Sequence, residues 1–313
     1  RKPEPGPGAR RRATITEKGG GMSRVLVTGG GGFIGRHVAE ELLGTGHSVI
    51  LYDAMIEQVH AGAETRLPEG ARLVRGDMRE AGKLAEALKG CDAVIHLAAE
   101  VGVGQSMYEI ARYVGANDLG TAVLLEAIAA HPVKKLVVAS SMSVYGEGYY
   151  KTPSGQLNET VRRRPADLRA GRWEPATEDG IALTPVATTE SKRVDLASIY
   201  ALTKYQQEQA VLIFGEAYAI PSVALRLFNV FGAGQALSNP YTGVLANFAS
   251  RIANGQAPTI FEDGEQKRDF VHVRDVARAF RLALESDAAA GHVINVGSGN
   301  AYAISDVARL LAR

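Results

Sequence analysis

Tyr200 and Lys204 stand four residues apart in the stretch SIYALTK, a spacing that on a helix sets a phenol and an ammonium on one face. A phenol titrating at about 10 is a poor base at neutral pH, but a cation beside it favours the phenolate and makes it a usable general base. Taken alone, such a pair is ordinarily a packed tyrosine beside a solvated lysine. Ser141 ends the apolar run KKLVVASS. There its hydroxyl can share a substrate proton or serve a local turn.

Upstream, Gly29, Gly32 and Gly35 follow a GxxGxxG spacing in VTGGGGFIG. Missing side chains allow a tight turn and let backbone amides approach a pyrophosphate at the start of a helix. Asp53 falls about twenty residues on, where a carboxylate accepts from a ribose 2′-hydroxyl and repels a 2′-phosphate, which favours NAD over NADP. Asp77, in LVRGDM, would stand near the adenine by the same geometry or act as a helix N-cap. A dinucleotide turn ahead of the Tyr/Lys pair points to an oxidoreductive site.

These residues need a scaffold, and the hydrophobic pattern predicts one. A strand at Val25–Thr28, a helix at Phe33–Leu43 and a strand at Ser48–Tyr52 form a βαβ unit. The alternation continues through ARLVRGD, KLAEALKG, CDAVIHLAA, GTAVLLEAIAAH and KKLVVASS. Strands written as continuous Val/Ile/Leu runs suit a parallel sheet covered on both faces. The fold class is therefore α/β, a Rossmann-type doubly wound parallel sheet with a smaller, discontinuous C-terminal substrate lobe.

Proline-rich residues 147–192 break the rhythm and are read as an insertion leaning over the active-site side. After the SIYALTK helix and the SVALRLFN strand, Val230 to Lys267 reads as irregular, followed by a helix in RDVARAFRLALES and a strand in HVINVGSG. The expected domains are an extension at 1–21, flexible because it mixes Pro, Gly and Arg without periodicity, and an NAD-binding domain at 22–229. Residues 230–313 are expected to form mainly a substrate lobe, with 271–298 returning to the first domain. The chain stops mid-helix in SDVARLLAR.

Composition narrows the partners. A formal net charge of +1 gives no nucleic-acid footprint, and no apolar run approaches a membrane span. Cys91 is the single cysteine, which excludes an intrachain disulfide and fits a reducing, cytoplasmic location. The seven histidines are dispersed, so no metal site is expected. His96, inside a buried strand, reads as a satisfied core histidine.

VTGGGGFIG, VIHLAAEVGVG, NDLGT, SSMSVYG, YALTK, LRLFNVFG, DGEQKRDFVHVRDV and INVGSG occur in an order that resembles the extended short-chain dehydrogenases/reductases. Within them the chain is similar to the NAD-dependent nucleotide-sugar epimerases and dehydratases, over nearly everything from Met22 to Arg313. The resemblance implies that Gly29, Gly32, Phe33, Ile34, Gly35, Asp53, Asp77 and Met78 hold NAD. It implies the same for Leu97, Ala98, Ala99, Asn117, Tyr200, Lys204 and Phe228. It further implies that Ser141, Tyr200 and Lys204 are catalytic, and that Ser141, Asn229, Val244 and Arg268 meet a nucleotide-diphosphate sugar, Arg268 through its diphosphate. A homodimer packed through two helices per subunit is implied as well.

The family's 4,6-dehydratases place an Asp-Glu pair directly after the catalytic hydroxyl, and its decarboxylases keep a Glu there. Here those positions are Met142 and Ser143. The expectation is oxidation followed by reduction at one carbon, a 4-epimerase. VGVGQSMYEIARY, LRAGRWEPATEDG and the stretch from Ala236 to Gly264 look most like the branch acting on dTDP-L-rhamnose and dTDP-6-deoxy-L-talose. The alternatives are UDP-hexose or UDP-hexuronate 4-epimerases, a nucleotide-4-ketosugar reductase, a lyase, and a non-catalytic NAD-sensing module.

Overall fold

A computed structural model describes residues 21–60, 66–236 and 243–312; the expected extension at 1–21 falls outside them except for its last residue. Seven parallel strands form the central sheet: β1 (Arg24–Thr28), β2 (Ser48–Asp53), β3 (Arg72–Arg75), β4 (Ala93–His96), β5 (Lys135–Ser141), β6 (Ser222–Leu227) and β7 (Val293–Val296). Their spatial order is β7-β6-β5-β4-β1-β2-β3. Chain direction reverses its walk across the sheet between β1 and β4, which opens a crevice beyond their carboxyl ends.

Helices cover both faces, which is why the strands carry continuous apolar runs. On one face lie α1 (Phe33–Gly44) and the later α6 (Val273–Glu285), where Val38, Leu42, Val276 and Phe280 join Val25, Val27 and Leu51 in one cluster. On the other lie α2 (Ala81–Leu88), α3 (Gly120–Ala130) and α4 (Ile199–Ala217), where Leu84, Leu124, Ile128 and Val211 meet Leu26, Val94 and Leu136. Cys91 is buried in this second cluster and its thiol donates to the Ala87 carbonyl at 3.3 Å. Burial pushes that thiol up, as an inert cysteine requires.

Two stretches carry more structure than the sequence pattern suggested. Residues 230–267 contain α5 (Val244–Ala253), and Asn229–Phe231 forms a short strand parallel to Phe270–His272. Helix α5 buries Ala246 and Phe248 against Phe270, Val307 and Ala308, the last two from α7 (Ile304–Leu311). Gly243 caps α5 without a side-chain hydrogen bond, so the usual start signal is absent. The insertion also folds: Tyr149–Lys151 pairs antiparallel with Leu157–Asn158 and with Thr184–Val186. Tyr150, Val161 and Leu183 make its own small core.

The helix that carries the Tyr/Lys pair is fastened to the sheet by charge. Glu208 of α4, fully buried, accepts from Arg226 of β6 at 2.6 and 2.9 Å and from the Ser140 hydroxyl at 2.6 Å. Removing one member of a buried pair strands the other without water. Glu208→Ala should therefore cost about 3–5 kcal/mol in a urea titration, and Glu208→Leu with Arg226→Met should cost much less. Equal losses for both variants would show that packing, not the stranded charge, sets the penalty.

Candidate active site

The carboxyl ends of β1, β2, β4, β5 and β6 converge on one cleft of about 890 Å³. At its β1 end, Gly29 adopts φ 68°, and a Cβ there would lie 2.8 Å from the Ala98 amide nitrogen. A Cβ on Gly35 would lie 2.3 Å from the Gly29 carbonyl oxygen, so the turn and the start of α1 tolerate no side chain at either place. The first turn of α1, through Phe33 and Ile34, lines the cleft and has no side-chain cap at Gly32. Amides at a helix start attract phosphate.

Asp53 ends β2 beside this turn. Its carboxylate accepts from the Gly31 amide at 2.9 Å and the Met55 amide at 2.7 Å, and His60 lies 3.5 Å away. The group is thus aimed rather than left as a solvated loop acid. Leu97, Ala98 and Ala99 follow β4 along the wall, and Phe228 and Asn229 follow β6. A dinucleotide fits this cradle: a side-chain-free turn for the pyrophosphate and a fixed carboxylate for a ribose.

Three residues expected at the cofactor do not line the cleft. Asp77 is bound by Arg79, which donates from its backbone at 2.9 Å and from its side chain at 2.8 and 2.6 Å, and this hydrogen bonding holds the carboxyl below its usual range. It is not a helix cap either, because Glu80 precedes α2. Met78 is buried in the core. Asn117, fully buried, holds Glu100 through both backbone groups, at 2.7 and 3.1 Å, and donates to Thr203 at 2.9 Å. It shapes the wall from behind.

Ser141, Tyr200 and Lys204 meet at the β5 end of the same cleft. Helix α4 begins at Ser198, whose hydroxyl accepts from the Ala201 amide at 3.1 Å, and Ser106 accepts from the Tyr200 amide at 3.0 Å. Together they fix where the phenol enters. Burial pushes that phenol above its ordinary value of 10.0, while a hydrogen bond with Ser141 pulls the other way. Burial also lowers Lys204 from 10.5 to about 7, against the opposing field of Glu208. Burial thus weakens, in the protein alone, the ammonium expected beside Tyr200.

Several partners were not legible in the sequence. Lys204 donates to Gln207 at 2.7 Å, and Gln207 faces His96 at 3.1 Å and Thr121 at 2.9 Å. His96 also meets Thr28 at 2.7 Å, so it is the satisfied core histidine expected, and burial, with the Lys204 charge, lowers it to about 3. Ser143, noticed only as a missing acid, donates its hydroxyl to Ser141 at 2.8 Å, and its amide donates there at 3.2 Å. Met142 offers its sulfur to Asn229 at 3.6 Å. Gln207 at three residues past Lys204 shares its helical face, the one signal that could have found it.

A second cavity of about 560 Å³ adjoins the cleft, and Asn229 and Val244 belong to the walls of both. Arg268 lies in this second cavity rather than in the cleft, together with Arg163 and Arg251. Among the described residues no cluster of three His, Cys, Asp or Glu side chains could hold a metal, and no helix is long and apolar enough to cross a membrane.

The sequence pattern of the NAD dependent epimerase/dehydratase family matches residues 25–168 and 177–297. The dTDP-L-rhamnose 4-epimerase of Burkholderia thailandensis is 36% identical over 295 residues, covering 92% of this chain and 80% of that protein. The solved UDP-glucose 4-epimerase of Thermotoga maritima with UDP-glucose superposes with a TM-score of 0.74 at 30% identity, covering 92% of this chain and 81% of that one. That of Thermus thermophilus in complex with NAD gives 0.71 at 30% identity, covering 92% and 82%.

The Lys204 shift has a testable sign. Between its folded value of about 7 and its ordinary 10.5 the unfolded chain binds more protons, so stability rises with pH across that window and is flat below it. In nucleotide-free protein, the Tm of wild type minus that of Lys204→Met should climb through the window. A difference independent of pH would mean that Lys204 titrates normally.

Proposed function

The chain belongs to the NAD-dependent epimerase/dehydratase family, and from that premise we propose that it interconverts dTDP-L-rhamnose and dTDP-6-deoxy-L-talose at C4. At the coarser level it is an NAD-dependent nucleotide-sugar 4-epimerase, an isomerase. The dTDP-sugar rests on the similarity to the Burkholderia thailandensis enzyme. The observation that carries the 4-epimerase reading is that Ser141, Tyr200 and Lys204 line one dinucleotide-shaped cleft, with Met142 and Ser143 where an eliminating acid would stand.

Bound NAD supplies a reversible hydride acceptor, so that C4 becomes a ketone and is then reduced on its other face with no net redox change. Tyr200 removes the 4-hydroxyl proton and later returns one. Ser141, in the same cleft, shares that proton, and because Ser143 donates to Ser141, the Ser141 hydroxyl keeps its own proton to donate. Burial raises the Tyr200 phenol above its ordinary value, so a cation bound beside it would favour the phenolate that removes the proton. Lys204 holds the nicotinamide ribose. Gly29, Gly32 and Asp53 hold the far half of the dinucleotide, and Asn229, Val244 and Arg268 the nucleotide sugar. We assign the protein to the cytoplasm and to a homodimer, for which the exposed Leu119, Leu202 and Ile213 supply an apolar face.

Substrate carrying deuterium at C4 should keep its label in the epimer, and label lost to solvent would reject transient oxidation. Tyr200→Phe should lower turnover by about 10²–10⁴-fold with NAD still bound. A variant that turns over freely would place the base elsewhere. A panel of dTDP- and UDP-sugars followed by NMR decides the substrate, and a UDP-hexose epimer would replace the dTDP reading. A requirement for stoichiometric NADH would instead identify a ketosugar reductase.

A further inference from the structure

Three consecutive arginines leave the small core of the insertion after the buried Val161. Arg162 pairs with Asp195 and Arg164 with Asp167, both well exposed at 58% and 44%. Arg163, between them, points the other way: its side chain is 24% exposed and lines the 560 Å³ cavity with Arg268 and Arg251. Its Nε donates to Glu147 at 3.1 Å, and its Nη1 donates to both oxygens of Glu262 at 2.7 and 2.9 Å. Glu147 opens the insertion directly after the turn that begins at Ser141, so one guanidinium ties that end of the insertion to Glu262.

Glu262 is held in a costly posture. Its φ is 59°, a left-handed conformation that a non-glycine residue adopts only when its surroundings demand it. Gln266 donates to the same carboxylate. The result is an acid presented to Arg163 in a wall otherwise charged by arginines. Without Arg163, Glu262 would stand unneutralised beside any anion entering next to Arg268.

We propose that Arg163 is a substrate-binding residue supplied by the insertion, donating to the diphosphate of the nucleotide sugar opposite Arg268, with Glu262 holding its guanidinium in place until the diphosphate competes for it. The proposal rests on the nucleotide-sugar reading above. It also explains why the insertion folds, because that fold delivers one cation to the cavity at a fixed distance from the catalytic turn. A planar guanidinium can keep Glu147 on Nε while exchanging Glu262 for a phosphate oxygen.

The test measures dTDP, UDP and dTMP binding by calorimetry, and KM and kcat, on the NAD-containing protein. Arg163→Gln should weaken diphosphate binding and raise KM by about tenfold to a hundredfold, with dTMP binding, kcat and bound NAD within about threefold of wild type. Glu262→Gln, which removes the competing carboxylate, should bind diphosphate as tightly as wild type or tighter. Arg163→Gln binding like wild type would overturn the proposal, as would an equal loss in Glu262→Gln, which would make the pair a strut. Wild type that binds neither dTDP nor UDP would instead overturn the nucleotide-sugar reading, and this inference with it.

Discussion

The structure depends on a carboxylate that has no access to water. Glu208 is tolerated in the interior because Arg226 meets it with two nitrogens and Ser140 with a hydroxyl. Those partners lie on β6 and β5, and Glu208 itself lies two turns beyond Tyr200 and one beyond Lys204 on α4. Because buried charges tolerate little displacement, the pairing sets the height and rotation of α4 over the sheet. Arg226 extends the constraint by lying 4.7 Å from the ring of Tyr145, whose hydroxyl donates to Asn295 on β7 at 2.8 Å. Ser140, one residue before Ser141, belongs to the same network. The serine and the phenol are thus positioned by one shared set of ionic bonds.

A neutral polar layer lies beside this ionic one. His96, Thr28, Thr121 and Gln207 satisfy one another under the floor of the cleft, and Lys204 is the member that emerges into it. Burial depresses the lysine and lifts the tyrosine, so it favours the neutral form of each. A cationic group bound in the cleft would favour the phenolate form of Tyr200.

The sheet could be read from the chain because its strands are buried on both faces and therefore appear as unbroken Val/Ile/Leu runs. The glycine turn and Tyr200/Lys204 could be read because their constraints are local: a missing Cβ and one helical repeat. What escaped was set by contacts across the fold. Nothing near Glu208 in sequence announces Arg226, and nothing near Ser143 distinguishes a hydroxyl that serves Ser141 from an acid's vacancy. Helix α5 is amphipathic but escaped because Gly243 gives no side-chain cap to mark its start. Asp77 was placed by analogy with Asp53, yet Arg79, two residues on, claims its carboxylate first.

The two adjoining cavities differ in what they can grip, and that difference suits an epimerisation. One is armed with Arg163, Arg251 and Arg268, groups that fix an anion through strong, directional bonds. The other is walled mostly by glycines and apolar side chains, with Asp53 at its β2 end and Lys204 beside Ser141 and Tyr200. A molecule spanning both through the shared Asn229 and Val244 would be anchored at its charged end and held loosely at its ring. Reduction on either face requires the oxidised ring to turn over while its tether stays bound. Tight grip everywhere would forbid the turn, and loose grip everywhere would release the ketone, so the proposed epimerisation is served by the uneven distribution of charge along the cavity.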